Sequence, residues 1–195
     1  MGNLLSAAAR LPQRLRPLAL QDRFHLADGR QVLLRPIEPQ DAEAEQAFVR
    51  RLSLASRQRR FHIGIRELAP QMLREFTEVD QRRHVAIVAQ VCGPHAPLLV
   101  ADARYVRNDD DADAEFAIAV ADDWQGQGLG TRLLHRLARL ACHAGVHRLY
   151  GEVLHGNEPM IAMLRREGAR LATLPGDARL VLATIDPALL AASTP

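Results

Sequence analysis

The spacing of hydrophobic residues changes abruptly in the middle of the chain. From Glu115 to Ala121 polar or small residues alternate with larger apolar ones, which is the period of a β-strand. Phe116, Ile118 and Val120 share one face of this predicted strand. After a glycine-rich segment, apolar residues recur three and four positions apart, as in an amphipathic helix. These positions are Leu129, Leu133, Leu134, Leu137, Leu140, Ala141 and Ala144. The pattern therefore predicts a strand, a tight turn and a helix in succession.

The chain before this unit contains further short elements. The pattern predicts a strand at 32–36, helices starting near Asp41 and Pro70, and strands at 84–91 and 98–106. Asp41 is a suitable N-cap, and Pro70 suits the first turn of a helix. Residues 53–60 are basic and polar, and no element is predicted there.

The chain after the central helix continues with strands and one more helix. Gly145 can end the central helix, and residues 146–154 form a predicted strand. Asn157 precedes a helix with Pro159 in its first turn, and a final hairpin is predicted at 171–174 and 179–185. The predicted order is β-α-α-β-β-β-α-β-α-β-β.

The length of 195 residues and the 48% hydrophobic content favour one globular domain. We expect a flexible N-terminal extension at 1–23, a domain at 24–186 and a C-terminal tail at 187–195. The extension is too interrupted by arginine and proline to predict a transmembrane span or a signal peptide.

The charge and the cysteine content narrow the range of partners and compartments. The net charge of +2 provides no electrostatic argument for binding nucleic acid or an anionic membrane. The two cysteines, Cys92 and Cys142, do not form a disulfide framework, which favours a reducing, cytoplasmic location.

Three glycines stand at alternate positions between the predicted strand and helix: Gly126, Gly128 and Gly130. Glycines at the start of a helix let the backbone approach a ligand, and the free N–H groups there favour a phosphate. The G-x-G-x-G spacing without lysine fits neither the dinucleotide fingerprint nor the Walker loop.

The segment instead resembles the pyrophosphate loop of the GNAT acetyltransferase superfamily, whose pattern is (Gln/Arg)-x-x-Gly-x-(Gly/Ala). The matching residues are Gln125, Gly126, Gln127, Gly128, Leu129 and Gly130. The resemblance implies the GNAT acyl-CoA N-acyltransferase fold, a mixed α+β fold with a mostly antiparallel central sheet flanked by helices. It also implies that acetyl-CoA is the co-substrate.

Several other segments are similar to the GNAT domain of bacterial Pat-type protein lysine acetyltransferases. They include Arg35-Pro36-Ile37, Arg50-Arg51-Leu52-Ser53, Arg60-Phe61, Glu115-Phe116-Ala117 and Gly151-Glu152-Val153-Leu154. This similarity implies an amine acceptor such as a protein lysine, for example on an acyl-CoA synthetase.

The resemblance also implies the cofactor contacts. Backbone groups of Ile118, Ala119 and Val120 would pair with the pantetheine arm, and Val120 would supply the oxyanion donor. The N–H groups from Gly126 to Thr131 would receive the pyrophosphate, and Gln125 belongs to the same cofactor-binding segment. Asn157 would contact the cofactor or its leaving thiol.

Glu115 is the implied general base, because a lysine ammonium has a pKa of about 10.4 and must lose a proton before it attacks. Its alternative role is a solvated carboxylate at a strand end, and the alternative for Asn157 is a helix N-cap. Many relatives have a tyrosine as the thiolate acid seven residues after this asparagine. Here that position is Leu164.

Three functions stay open at this stage: acetylation of a protein lysine, acetylation of a small amine, and acyl-CoA sensing without catalysis. A metal is not expected. The acidic run Asp109, Asp111 and Asp113 lacks the glycine and glutamate of an EF-hand, and His143 and His147 lack the H-E-x-x-H context.

Overall fold

The computed structural model describes residues 21–92, 97–108 and 112–193. In this part of the chain, eight strands form one sheet and six α-helices flank it. The strands are β1 (Asp22–His25), β2 (Gln31–Pro36), β3 (His84–Cys92), β4 (Pro97–Arg107), β5 (Asp113–Val120), β6 (Arg148–Leu154), β7 (Arg170–Leu174) and β8 (Asp177–Ile185). The helices are α1 (Ala42–Arg51), α2 (Leu54–Phe61), α3 (Pro70–Thr77), α4 (Leu129–His143), α5 (Glu158–Arg166) and α6 (Pro187–Ala192).

The sheet has the order β1-β2-β3-β4-β5-β6-β8-β7, and all neighbours are antiparallel except β5 and β6. The parallel pair consists of three positions, Asp113–Arg148, Ala114–Leu149 and Glu115–Tyr150. Beyond Glu115 the two strands separate, while β5 stays paired with β4 as far as Val120. The sheet therefore splits at Glu115, and one edge of β5 is left free within it.

One glycine allows the strands to lie this close where they begin to separate. A Cβ on Gly151 would lie 2.9 Å from the carbonyl oxygen of Phe116 and 3.1 Å from its aromatic ring. Real Cβ atoms essentially never approach backbone so closely, so any side chain at this position would push β6 away from β5.

The two faces of the sheet pack against different helices, as the alternation in β5 predicts. On one face, Phe116 and Ile118 belong to a core that contains the buried leucines of α4. On the other face, Ala119 and Ala121 belong to a second core with Phe48 of α1. Each face of β5 is thus covered, and the opening in the sheet lies between two packed layers.

The mostly antiparallel α+β fold predicted from the sequence is confirmed, and every predicted strand and helix is present. Three elements were not predicted. Helix α2 occupies the basic segment 53–60, and its one buried residue, Ser56, provides no apolar stripe for pattern analysis. Strand β1 pairs with β2 near the expected start of the domain. Helix α6 lies in the segment predicted as a tail, and its Pro187 and Leu190 are buried.

Asp41 does not cap α1 as predicted. It lies in a 3-10 turn (Pro39–Asp41) just before α1, and its side chain makes no helix-capping hydrogen bond to α1. Its carboxylate instead accepts hydrogen bonds from the Arg35 guanidinium at 2.6 and 2.7 Å, and from the backbone N–H of Glu38 at 2.9 Å. A partly buried arginine on β2 is a stronger partner for this carboxylate than a helix amide.

Most of the predicted extension, residues 1–20, lies outside the described residues, as do Asp109 and Asp111 of the acidic run. No helix in the described part of the chain is both long enough and apolar enough to cross a membrane.

Candidate active site

A cavity of about 580 Å³ opens where β5 and β6 separate. Its walls come from β5, the glycine-rich loop, the start of α4, β6, α5 and α2. The predicted site residues on its walls are Glu115, Ile118, Ala119, Val120, Gln125, Gly126, Gly128, Gly130, Thr131 and Asn157. The structure thus brings together, around one opening, residues that are up to 42 positions apart in sequence.

Two predicted cofactor residues do not line the cavity with the others. Leu129 is buried in the core below α4. The Gln127 side chain accepts a hydrogen bond from Arg30 Nη2 at 2.6 Å and donates one to the carbonyl of Asp123 at 3.2 Å. The Arg30 guanidinium also stacks 3.7 Å from the centre of the Trp124 ring, so this contact fastens the β1–β2 turn to the loop.

The free edge of β5 presents the backbone of alternate residues to the cavity. The N–H of Ala121 donates to the carbonyl of Val100 on β4 at 2.8 Å. Because bonded and non-bonded pairs alternate along an antiparallel ladder, Ala119 also bonds to β4, whereas Ile118 and Val120 point their N–H and C=O groups toward the gap. The Val120 carbonyl accepts from Gln125 Nε2 at 2.9 Å, which leaves its N–H directed at the opening.

The glycine-rich loop has the backbone geometry of an anion site. Gly126 and Gly128 have φ values of +72° and +79°, where residues with a Cβ are strained. Gly130 is in the first turn of α4, where a Cβ would approach Met163 Sδ to 3.2 Å. The first amides of α4 have no intrahelical acceptor, and the positive end of the helix dipole lies at the same place. These donors suit a pyrophosphate.

Two carboxylates border the opening. Glu115 is the last β5 residue paired with β6, and its side chain is exposed on the wall of the cavity. Glu152, which pattern analysis did not select, is exposed on β6 two residues beyond Tyr150, the partner of Glu115. Residues two apart on a strand share a face, so both carboxylates lie on the same face of the sheet, across the gap.

Asn157 lies at the mouth of the gap, at the N-cap position of α5. Its side chain makes no capping hydrogen bond, and the residue is 9% exposed. The capping alternative therefore does not account for this side chain. Leu164, where many relatives have a tyrosine, is fully buried and does not reach the cavity.

Helix α2 forms a further wall of the cavity. Ser56, Arg59, Arg60 and Phe61 line the cavity together with His62, which follows the helix with a φ of +57°. The sequence shows that this segment is basic. It does not predict a helix there, because a helix with few apolar residues lacks the periodic hydrophobic pattern on which such a prediction depends.

An ion pair is buried behind this wall. Asp102 and Arg104 lie opposite Ala119 and Ala117 in the β4–β5 register, and Arg104 Nε donates to Asp102 Oδ1 at 3.0 Å. Arg60 Nη2 is 3.8 Å from the same carboxylate oxygen. The guanidinium of Arg60 therefore belongs both to the cavity and to the buried charges.

Two neighbouring groups have strongly displaced pKa values. Burial, together with the negative charge of Asp102, raises the pKa of Glu45 to about 8. Burial, together with the charge of Arg104, lowers the pKa of His84 to about 4. Both side chains are therefore mostly uncharged at neutral pH.

A family model described as the acetyltransferase (GNAT) family matches residues 57–169, from within α2 to the residue before β7. An acetyltransferase of Pseudomonas aeruginosa is 35% identical over 135 residues, which are 69% of this chain and 73% of that protein. The acetyltransferase Pat of Mycolicibacterium smegmatis is 34% identical over 84% of this chain and 47% of its own length.

Solved structures show the same relationship. The GNAT domain of S. lividans PAT superposes with a TM-score of 0.80 at 28% identity, over 87% of this chain and 98% of that domain. A cAMP-binding acyltransferase from Mycobacterium smegmatis has a TM-score of 0.59 at 29% identity, over 85% of this chain and 46% of that protein. The chain spans about half the length of these mycobacterial relatives. It is an acetyl-CoA-dependent N-acetyltransferase and belongs to the acetyltransferase (GNAT) family.

Proposed function

We propose that this enzyme transfers an acetyl group from acetyl-CoA to the amine of a protein lysine, with Glu115 as the general base. The observation that carries the proposal is the position of Glu115. It stands where β5 and β6 part, exposed to the cavity, two residues from Ala117 on the same strand face. The small side chain of Ala117 leaves room for an amine beside the carboxylate.

The proposed chemistry is direct attack. Glu115 takes a proton from the ammonium, whose pKa is about 10.4, and the neutral amine attacks the thioester carbonyl. The N–H of Val120 donates to the oxyanion of the tetrahedral intermediate. As this collapses, the new C–N bond is kept and the C–S bond breaks. The thiolate leaves and receives, through water, the second proton of the attacking nitrogen, since the buried Leu164 provides no acid. Glu115 then releases the first proton to solvent.

The cofactor contacts form the second part of the proposal. The gap-facing backbone of Ile118 and Val120 would pair with the pantetheine amides, and the amides of the glycine loop would hold the pyrophosphate. Asn157, whose side chain has no capping bond, would contact the cofactor near its thiol. The residues present fit the group, because loop, strand edge and asparagine all line one cavity.

Two observations favour a protein acceptor over a small amine. A second cavity of about 580 Å³ lies between α2, the end of β6 and the start of β8, and Arg59 borders both cavities. An extended peptide could therefore lie beside a lysine inserted toward Glu115. The relatives named Pat belong to the group that the sequence resembles, and that resemblance implies protein lysines. The cytoplasmic location stays a prediction from the cysteine content.

The test is an acceptor panel. The protein is mixed with acetyl-CoA and, separately, lysine-containing peptides, folded acyl-CoA synthetase and small primary amines, while free thiol and acetylated product are measured. Acetylation of peptide or protein lysines is expected. Transfer to small amines alone would support the small-molecule function. Binding of acetyl-CoA without thiol release from any acceptor would leave the sensor function.

A further inference from the structure

We propose that Asp122 is a positioning residue that links the cofactor loop to α2, so that a ligand on the loop stabilises the wall on which the acceptor binds. The inference rests on the proposed function for its kinetic consequence, but its structural consequence needs only cofactor binding. Four residues form the link and are called the Asp122 cluster: Ser53, Ser56, Asp122 and Gln125.

Asp122 accepts three hydrogen bonds from the start of α2. Its Oδ2 accepts from the backbone N–H of Ser53 at 2.9 Å, and its Oδ1 accepts from the hydroxyls of Ser53 at 2.7 Å and Ser56 at 2.8 Å. These residues are 66 to 69 positions from Asp122 in sequence. The carboxylate therefore joins two distant segments of the chain.

Gln125 extends the link into the cofactor site. Its Nε2 lies 3.3 Å from the Ser56 hydroxyl and 2.9 Å from the carbonyl of Val120, so it bridges α2 and the free edge of β5. The backbone N–H of Gln125 also donates to the carbonyl of Asp122 at 3.2 Å. The residue that opens the glycine loop thus contacts both the helix and the strand.

Charge supports this arrangement. Burial opposes ionisation of Asp122, but the hydrogen bonds from Ser53 and Ser56 outweigh it and lower the pKa of the carboxyl. The carboxylate is therefore ionised at neutral pH and lies at the N-terminus of α2, where the helix dipole favours a negative charge. Ser53 also caps this helix, because its hydroxyl accepts from the N–H of Ser56 at 3.1 Å.

The start of helix α2 depends on such contacts because it buries little. Leu54 is 56% exposed and Ser56 is the one buried residue of the helix, whereas Phe61 packs against Phe76 at the other end. A helix with few buried apolar contacts opens locally at low free energy. A ligand that orders Gln125 and the loop would therefore protect α2 through the Asp122 cluster, and this coupling acts in both directions.

The first experiment measures hydrogen exchange of the full chain with and without CoA. Wild type and Asp122→Ala are compared with Asp123→Ala, the same change one residue away, at a side chain outside the cluster. In wild type and Asp123→Ala, CoA is expected to slow exchange in both the loop (125–131) and α2. In Asp122→Ala, slowing is expected in the loop alone. Equal slowing of α2 in all three proteins, or none in wild type, would overturn the proposal.

The second experiment measures steady-state kinetics with a lysine peptide. Asp122→Ala is expected to raise the acceptor KM about tenfold, the size expected when hydrogen bonds to a charged group are lost, with little change in the KM for acetyl-CoA. The acceptor KM of Asp122→Asn, which keeps one acceptor oxygen, is expected to lie between the values of wild type and Asp122→Ala. A change confined to the KM for acetyl-CoA would overturn the link.

A third variant separates folding from linkage. Ser56→Ala removes the hydroxyl that both Asp122 and Gln125 contact, while the loop itself is unchanged. If Asp122→Ala fails to fold, the hydrogen-exchange comparison is made with Ser56→Ala, which keeps the two bonds from Ser53 to Asp122. CoA is then expected to slow exchange in α2 less than in wild type, and equal slowing would overturn the proposal. If wild type binds CoA but acetylates nothing, the proposed function is wrong. Hydrogen exchange in α2 with and without CoA still tests the link through the Asp122 cluster in that case.

Discussion

The two sides of the cavity are built in different ways. The cofactor side consists mainly of backbone: the free edge of β5, glycines with positive φ and the first amides of α4. The acceptor side consists mainly of side chains, among them Arg59, Arg60 and Glu152. A backbone surface keeps its function through many sequence changes as long as the glycines and the register hold, whereas a side-chain surface changes with each substitution.

This difference has a consequence for the proposed function. In the proposed site, the pyrophosphate and the pantetheine amides would be recognised by backbone groups. The acceptor would be recognised by α2 and the neighbouring start of β8, which contribute polar side chains. Changes on the cofactor side should therefore affect cofactor binding or stability, and changes on the acceptor side should affect the acceptor KM and acceptor choice.

The largest effect is expected at Glu115, which lies between the cofactor side and the acceptor side of the cavity. Glu115→Gln is expected to lower kcat about 100- to 1000-fold, because general base catalysis contributes on that order, while the Kd for acetyl-CoA is unchanged. Thiol release and calorimetry measure the two quantities. Glu152→Gln is the matched control, since its carboxylate borders the same cavity, and it is expected to keep most of the turnover. An equal loss in both variants, or a loss in Glu152→Gln alone, would remove Glu115 from the role of base.

The next effect concerns the split in the sheet itself. Gly151→Ala is expected to lower the free energy of unfolding by about 1–3 kcal/mol, because the new Cβ would lie 2.9 Å from a backbone oxygen. Urea unfolding measures this change. Gly156→Ala is the control, because a Cβ there meets nothing within 4 Å. Equal stability of the two variants would show that β5 and β6 can separate further at no cost.

The cofactor side was largely predictable because its signals are local. The alternation in β5, three glycines at alternate positions and the stripe of α4 are contiguous in sequence, so pattern and motif place them together. The side-chain positions of Leu129 and Gln127 were not predictable. A motif does not show which of its side chains turn to the core or, as with Gln127, contact a distant Arg30.

The acceptor side was not predictable because its residues meet through tertiary packing. Helix α2 has no apolar stripe, and Ser56 approaches the loop through Asp122, 66 positions away. Glu152 reaches the cavity because β6 returns parallel to β5, and the hydrophobic pattern of β6 does not specify its partner. A basic segment and an exposed glutamate therefore looked like ordinary surface.

A smaller effect, on pH dependence, tests the charges behind the acceptor side. The pKa of Glu45 is raised to about 8 in the folded protein from its ordinary value of 4.5, so folding favours the protonated form of this side chain. This contribution is complete below pH 4.5 and is lost as the pH rises through 8. The pKa of His84 is lowered to about 4, so its contribution to the pH dependence of the free energy of unfolding is confined to pH values below about 6.5. Between pH 6.5 and 8 the free energy of unfolding is therefore expected to fall, by at most about 1.4 kcal/mol per pH unit.

Urea unfolding at several pH values measures this slope, and Glu45→Gln is expected to flatten it. The charges around this carboxyl, Asp41, Asp102, Arg60 and Arg104, are the same in the variant. A slope that persists in Glu45→Gln would assign the titration to another group. A flat wild-type profile would mean that Glu45 ionises in the folded protein much as it does in the unfolded chain.

The smallest effect separates backbone strain from ligand binding on the cofactor side. Gly128 and Gly145 both have positive φ, +79° and +76°, and a Cβ at either meets nothing within 4 Å. Alanine at either position is therefore expected to lower the free energy of unfolding by a similar amount, about 1 kcal/mol. Because Gly128 lines the cavity at the start of α4 and Gly145 lies beyond its other end, Gly128→Ala alone is expected to weaken acetyl-CoA binding. Calorimetric titration of both variants measures this, and an equal loss of affinity in Gly145→Ala would mean that strain anywhere around α4, rather than the loop backbone, controls the cofactor site.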